Sequence, residues 1–162
     1  MKIELRKTTV SDLDFVLAAE SHPENCNYVY QWSYDEHVSS LSDNNLRHYV
    51  VESNNELLGY VILDQVNDRS GSINLRRLVV TKKNSGIGKQ VLEQIKLIAF
   101  TELNAHRLWL DVFTDNLIAY NLYKKCGFRE EGKLIDSYLR KDGYASQYIM
   151  AILKKEYTAS QN

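Results

Sequence analysis

Apolar and polar side chains alternate over residues 3–7, the period of a half-buried strand. Leu13, Val16 and Leu17 then recur at helical spacing, and Thr8, Thr9 or Ser11 can cap that helix. His22-Pro23-Glu24-Asn25 breaks it. Tyr28, Tyr30 and Trp32 follow in quick succession, and a second helix is predicted over 34–41. Residues 48–52 and 57–64 predict a hairpin turning at 53–56. A turn at 67–71 leads into an apolar, β-branched strand over 73–81. Next comes a short basic stretch holding Gly86 and Gly88. Ile87, Val91, Ile95 and Ile98 then share one helical face, with Leu92 and Ala99 beside them. A strand over 108–113 and a helix over 116–125 follow, with Gly127 placed as the helix's C-terminal cap. Residues 131–139 and 144–153 predict a last hairpin around Lys141-Asp142-Gly143. The polar end is expected to fray, so the domain is read over 1–157 with a flexible tail at 158–162.

The predicted order is βααβββαβαββ. The early strands can pair antiparallel, whereas the strand–helix–strand unit over 73–113 must set its two strands parallel. The expectation is a single α/β domain, a mixed and mostly antiparallel sheet flanked by helices. A chain of 162 residues is long enough to bury a real core. Its 20 basic and 21 acidic residues leave a net charge of −1, which argues against general binding to nucleic acid or a membrane surface. A local basic patch remains compatible with that balance. No apolar run reaches the roughly 18–20 residues that span a bilayer, and the first residues lack a signal-peptide core. Cys26 and Cys126 have no metal-type spacing and read as reduced thiols in a cytoplasmic protein; no metal is expected.

The chemistry begins at the glycine turn. A strand that feeds a tight turn and then a helix presents free backbone N–H groups at the positive end of the helix dipole, which together form an anion site. Gly86-x-Gly88 alone has several readings. A dinucleotide fingerprint wants a third glycine where Val91 stands, although Asp111 lies where a ribose-binding acid would fall. A phosphate loop of the Gly-Lys-Ser/Thr type is missing its pattern. The two glycines can also be a turn and nothing more.

The stretch Lys83-Asn84-Ser85-Gly86-Ile87-Gly88 resembles the cofactor loop of the GCN5-related N-acetyltransferases, Arg/Gln-x-x-Gly-x-Gly/Ala, with Lys in place of Arg or Gln. A second block carries the resemblance further. Asn116, Ala119, Tyr123, Gly127 and Phe128 match the family's Asn-x-x-Ala-x-x-x-Tyr followed by Gly-Phe. Asn116, Ala119 and Tyr123 share one helical face. The resemblance covers roughly the C-terminal half of the chain and implies acetyl-CoA as cosubstrate. It implies that the backbone of Leu78, Val79 and Val80 bonds the pantetheine arm. Lys83, Asn84, Ser85, Gly86, Ile87, Gly88 and Lys89 would then cradle the pyrophosphate, with Asn116, Ala119 and Tyr123 along the cofactor.

The implied reaction is acetyl transfer to a primary amine by direct attack in a ternary complex. Tyr123 stands where the family's general acid stands. A phenol near 10 is a weaker acid than a thiol near 8.5, so Tyr123 is expected to act mainly by hydrogen-bonding the departing thiolate. Asp111 is the candidate base. Strand alternation sets it apart from Leu108, Leu110 and Val112, and Leu110-Asp111-Val112 is similar to a Leu-Glu-Val segment that carries the base in ribosomal-protein alanine N-acetyltransferases. Being one methylene shorter, it can require a bridging water. The alternative is a structural carboxylate paired with Arg107 or Arg77; Glu52 and Asp64 are weaker base candidates.

The acceptor is left open between a protein N-terminus, a polyamine and another small amine. Residues 131–144 resemble both the spermidine and the ribosomal-protein N-terminal branches. Tyr28, Tyr30 and Trp32 are candidates to hold a substrate cation on their faces. Glu20, Glu24, Asp35 and Glu36 can attract a polyamine or form a solvated acidic face. A homodimer is a possible assembly. Two other functions are consistent with parts of the sequence: a CoA-binding sensor without turnover, and a nucleotide-binding protein using Gly86 and Gly88.

Overall fold

The computed structural model describes residues 1–83 and 85–161. Its elements run β1 (Glu4–Lys7), α1 (Leu13–Ser21), α2 (Tyr34–Ser40), β2 (Arg47–Ser53), β3 (Glu56–Asp64), β4 (Ser72–Val80), α3 (Ile87–Leu97), β5 (Arg107–Phe113), α4 (Leu117–Lys125), β6 (Arg129–Arg140), β7 (Gly143–Leu153) and α5 (Lys154–Ser160). This is the predicted order with one helix added. The added helix, α5, follows β7 directly and takes in 158–160 of the stretch expected to fray; Glu156 accepts a hydrogen bond from the Leu153 N–H at 2.9 Å and Tyr157 stacks on Phe100. The seven strands form one sheet in the order β1-β2-β3-β4-β5-β7-β6.

Alternation along the central strands divides the core in two. Tyr49 and Val51 of β2, with Val61 and Leu63 of β3, face the cluster that α3 completes with Val91, Leu92 and Ile95. Val50, Tyr60 and Ile62 face the other side, where α1 contributes Leu13, Val16 and Ala19. Both faces of β2 and β3 are therefore covered, which is why their sequences read as nearly continuous apolar runs. Each fully buried Leu or Ile removed from water contributes about 1.5–3 kcal/mol.

The turns follow their residues. Asn54 and Asn55 take φ of 50° and 64°, the paired positive values that a two-residue hairpin loop needs. Gly127 lies at φ 97° just past α4, where its N–H bonds to Lys124 O and that of Phe128 to Tyr123 O, an αL helix stop. At Gly59 a Cβ would sit 2.2 Å from the Val79 carbonyl oxygen across the β3–β4 pair.

The functional feature of the sheet is a fork. β4 and β5 pair in parallel only from Ser72↔Arg107 to Asn74↔Trp109. Asn74 Nδ2 donates to Trp109 O at 3.2 Å at the branch point. Beyond it β4 stays with β3 and β5 stays with β7, so the two strands diverge. Gly59→Ala should lose about 2 kcal/mol or more of unfolding free energy, because the clash is with backbone on a strand that edges this fork. Urea denaturation followed by circular dichroism measures the loss.

Candidate active site

The fork opens into one cleft of about 950 Å³. β4 contributes Leu78, Val79 and Val80 to its lining, and β5 contributes Asp111, Val112 and Phe113. The sheet provides the walls because a diverging strand pair leaves ladder groups with no strand to meet.

At one end lies the glycine turn. Gly86 takes φ 78° as the residue before α3, a left-handed conformation that side chains rarely adopt. The N–H groups of Ile87, Gly88 and Lys89 open the helix with no preceding turn to bond. A Cβ on Gly88 would lie 2.9 Å from Leu122 Cδ2, so this glycine lets α4 approach the start of α3. Lys82, Lys83, Lys89 and Lys125 line the same cleft, and the donor set fits a pyrophosphate. Lys83 Nζ donates to Asn25 Oδ1 at 2.6 Å, which ties the turn to the segment after α1. Ile87 is buried in the core below the turn and does not line the cleft. Asn84 lies outside the described residues.

α4 crosses the middle. Asn116 caps it, its side chain accepting from the Ala119 N–H at 3.4 Å. Asn116, Ala119 and Tyr123 all line the cleft, as their spacing predicts. Tyr123 is 9% exposed, edge-on to Phe128. Burial, then the charge of Asp111, then Cys126 push its phenol well above the ordinary value, so the hydroxyl keeps its proton.

Asp111 reaches the cleft with its carboxyl accessible but hemmed in by the walls. The loss of bulk water pushes its pKa above the usual aspartate value, against the pull of Arg76. The alternative pairings are taken elsewhere: Arg107 bonds Glu131, and Arg77 bonds Glu20. Of the weaker base candidates, Glu52 bonds Arg6 away from the cleft, and Asp64 lines the cleft but is held by Arg76 at 2.7 Å.

The aromatic triplet separates. Tyr28 and Tyr30 line the cleft, whereas Trp32 lies behind it with the guanidiniums of Arg77 and Arg76 at 4.3 Å and 5.0 Å from its ring centre. The acidic residues separate too. Glu24 lines the cleft, and Glu36 closes the capping box of α2 through Ser33. Glu20 belongs to neither a solvated face nor a polyamine lure. It is 1% exposed and accepts from Trp32 N–H at 3.2 Å, Tyr60 O–H at 2.5 Å and Arg77 Nη1 at 3.2 Å, while His37 Nε2 lies 2.8 Å away. The chain continues from His37 to His48 and on to Thr8. Burial, with the charges of His37 and Arg77, pushes His48 down to about 3 and keeps it neutral. Periodicity cannot reveal this network, because its members come from seven separate elements and segments. The one sequence signal was polar residues at core positions, His48 and Arg77, within otherwise apolar strands.

The model of the acetyltransferase (GNAT) family matches residues 9–128, and the chain belongs to that family. It is an acyltransferase that uses acetyl-CoA to acetylate a primary amine. The spermidine N(1)-acetyltransferase of Vibrio cholerae serotype O1 is 26% identical over 165 residues, 96% of this chain and 95% of that protein. The spermidine N(1)-acetyltransferase of Escherichia coli K12 is 28% identical over 127 residues, 78% of this chain and 67% of that protein. Among solved structures, the Vibrio cholerae spermidine N-acetyltransferase in complex with CoA and spermine superposes with a TM-score of 0.88 at 27% identity, covering 96% of this chain and 98% of that one.

A carboxylate whose folded pKa is raised opposes folding once it ionises. Below the ordinary value of 3.8 both states hold the proton and the penalty is nil; it grows as pH rises through 3.8 and is complete above the folded value. Asp111→Asn should therefore melt at a higher temperature than the wild type at neutral pH, and the gain should shrink towards about pH 3. Calorimetry at both pH values reads this; an equal gain at both would contradict the desolvation of Asp111.

Proposed function

We propose that the chain acetylates a primary amine of a spermidine-type polyamine, with Asp111 as base and Tyr123 as the group that receives the departing sulfur. The observation that carries this is the joining of the glycine turn, Tyr123 and Asp111 in one cleft. Near-full-length similarity to spermidine acetyltransferases in sequence and structure supports the polyamine. The cleft's charges agree with a cationic acceptor. Arg76 and Arg77 are each matched by a carboxylate, which leaves Asp111 and Glu24 as lining acids with no ion pair among the described residues.

The geometry supports a division of roles among the lining residues. The first N–H groups of α3, with Lys83, Ser85, Gly86 and Lys89, hold the pyrophosphate. The diverging edge of β4 at Leu78 to Val80 bonds the pantetheine arm, and Ala119 leaves room for it beside α4. The amine nitrogen attacks the thioester carbonyl; the C–N bond forms and the C–S bond breaks. The amine's proton passes to Asp111, directly or through one water. A polyamine nitrogen near 10.4 costs about 4.6 kcal/mol to neutralise at pH 7, against about 1 kcal/mol for an α-amine near 8. A base with a raised pKa answers that larger demand. Tyr123 holds its proton too tightly to release it outright, so it stabilises the thiolate by donating a hydrogen bond.

The test is thiol release from acetyl-CoA with spermidine, spermine, a peptide with a free N-terminus and single amino acids. Spermidine should give turnover, and Tyr123→Phe should lower kcat by about 10²-fold with CoA affinity retained. Asp111→Asn should remove the acid limb of the pH–rate profile. Tight CoA binding with no thiol release from any amine would instead support a sensor, and turnover confined to the peptide would move the acceptor to protein N-termini.

A further inference from the structure

The acceptor side of the cleft is backed by an unbroken run of guanidinium and aromatic groups. Arg76 lies 5.0 Å from the centre of the Trp32 ring, and Arg77 lies 4.3 Å from the same ring and 5.8 Å from that of Tyr30. Tyr30 meets Tyr138 edge-on at 6.3 Å, and Tyr138 meets Phe113 edge-on at 5.2 Å. The guanidinium of Arg140 closes the run 4.8 Å from the Phe113 ring. The members come from β4, the segment between α1 and α2, β6 and the end of β5.

Carboxylates hold the run at three points. Asp64 takes Arg76 at 2.7 Å, and the buried Glu20 takes Arg77. Asp115 takes Arg140 through two bonds of 3.2 Å and 2.7 Å, while Arg140 also donates to the Asn27 carbonyl at 3.4 Å. One guanidinium thus clasps the β6–β7 hairpin, the segment bearing Tyr28 and Tyr30, and the loop that leads into α4. Two buried N–H-bearing atoms on the run, Arg77 Nη2 and Arg140 Nε, have no hydrogen-bond partner among the described residues. Aromatic rings beside both guanidiniums give those nitrogens an electron-rich neighbour in place of an oxygen.

We propose that this ladder is the specificity-determining wall of the acceptor site, and that Arg140 and Trp32 are positioning residues that keep its cleft-facing rings in place. Tyr30, Tyr138 and Phe113 line the cleft; Arg140 and Trp32 do not. Of the rings in the run, Trp32, Tyr30 and Phe113 are already engaged by the protein's own guanidiniums. The ladder therefore shapes and closes the acceptor end, and the substrate's charge is met by carboxylate. This inference rests on the assignment of the Asp111 end to the acceptor.

The experiment is steady-state kinetics on the full chain, with acetyl-CoA and the amine varied separately. Wild-type turnover is measured first over the amine panel, and the best amine is used throughout. Arg140→Gln should raise the amine KM about tenfold and leave the acetyl-CoA KM unchanged. Arg140→Lys, which keeps a cation beside the Phe113 ring and a donor for Asp115, should lose less than Arg140→Gln. Trp32→Leu breaks the ladder at its other end without touching the clasp and should give the same split, so the test survives if one variant folds poorly. An unshifted amine KM in the folded variants, or an equal rise in both KM values, overturns the ladder while leaving acetyl transfer intact. No thiol release by the wild type with any amine overturns the acceptor reading and the ladder with it.

Discussion

A strand pair that stops pairing leaves two rows of ladder positions facing each other across a gap. In this chain the stop comes at Asn74 and Trp109, after three residue pairs. The parallel geometry is imposed by the helical crossover, and the divergence is permitted because each strand keeps an antiparallel partner on its other side. The gap is lined by backbone rather than by side chains alone. A long, flexible cosubstrate can be held there by main-chain groups, whose positions depend little on which side chains surround them.

Electrostatics then distinguishes the two ends. The glycine turn gathers lysines and helix N–H groups, which suits phosphate. The other end has matched charges, each arginine with its carboxylate, and one acid in Asp111 that is accessible yet poorly hydrated. The same desolvation that raises Asp111 raises Tyr123, and each group's charge would oppose the other's. A carboxylate that accepts a proton more readily than usual thus sits near a phenol that gives one up reluctantly. The proposed roles, proton removal from the amine and hydrogen-bond stabilisation at sulfur, call for that pairing.

Much of this was legible along the chain. The helical repeat of Ile87, Val91 and Ile95 and the Asn54-Asn55 turn depend on neighbours within a few residues, and local geometry dictates them. The spacing of Asn116, Ala119 and Tyr123 put them on one face in the sequence, and all three line the cleft in the structure. Glu20 and Trp32 were misjudged for one reason. An acid and a loop aromatic both look exposed by residue type, but the partners that fix Glu20 (His37, Tyr60 and Arg77) lie 17 to 57 positions away, and Trp32 meets the guanidiniums of β4. The final helix escapes the pattern because its seven residues, mostly polar, carry little periodic signal, and its hold on the domain is the tertiary stack of Tyr157 on Phe100.

The sequence by itself determined the element order up to β7, the glycine turn, the face carrying Tyr123 and the membership of a family that transfers acetyl groups. These rest on short-range rules: period, capping, and glycine where φ is positive. Only the tertiary structure decided that Asp111 has no ion pair among the described residues while Arg77 is buried against Glu20, and that Trp32 serves the protein's own cations. Which charges meet is a question of long-range packing, since desolvation makes a buried ion pair depend on every group around it.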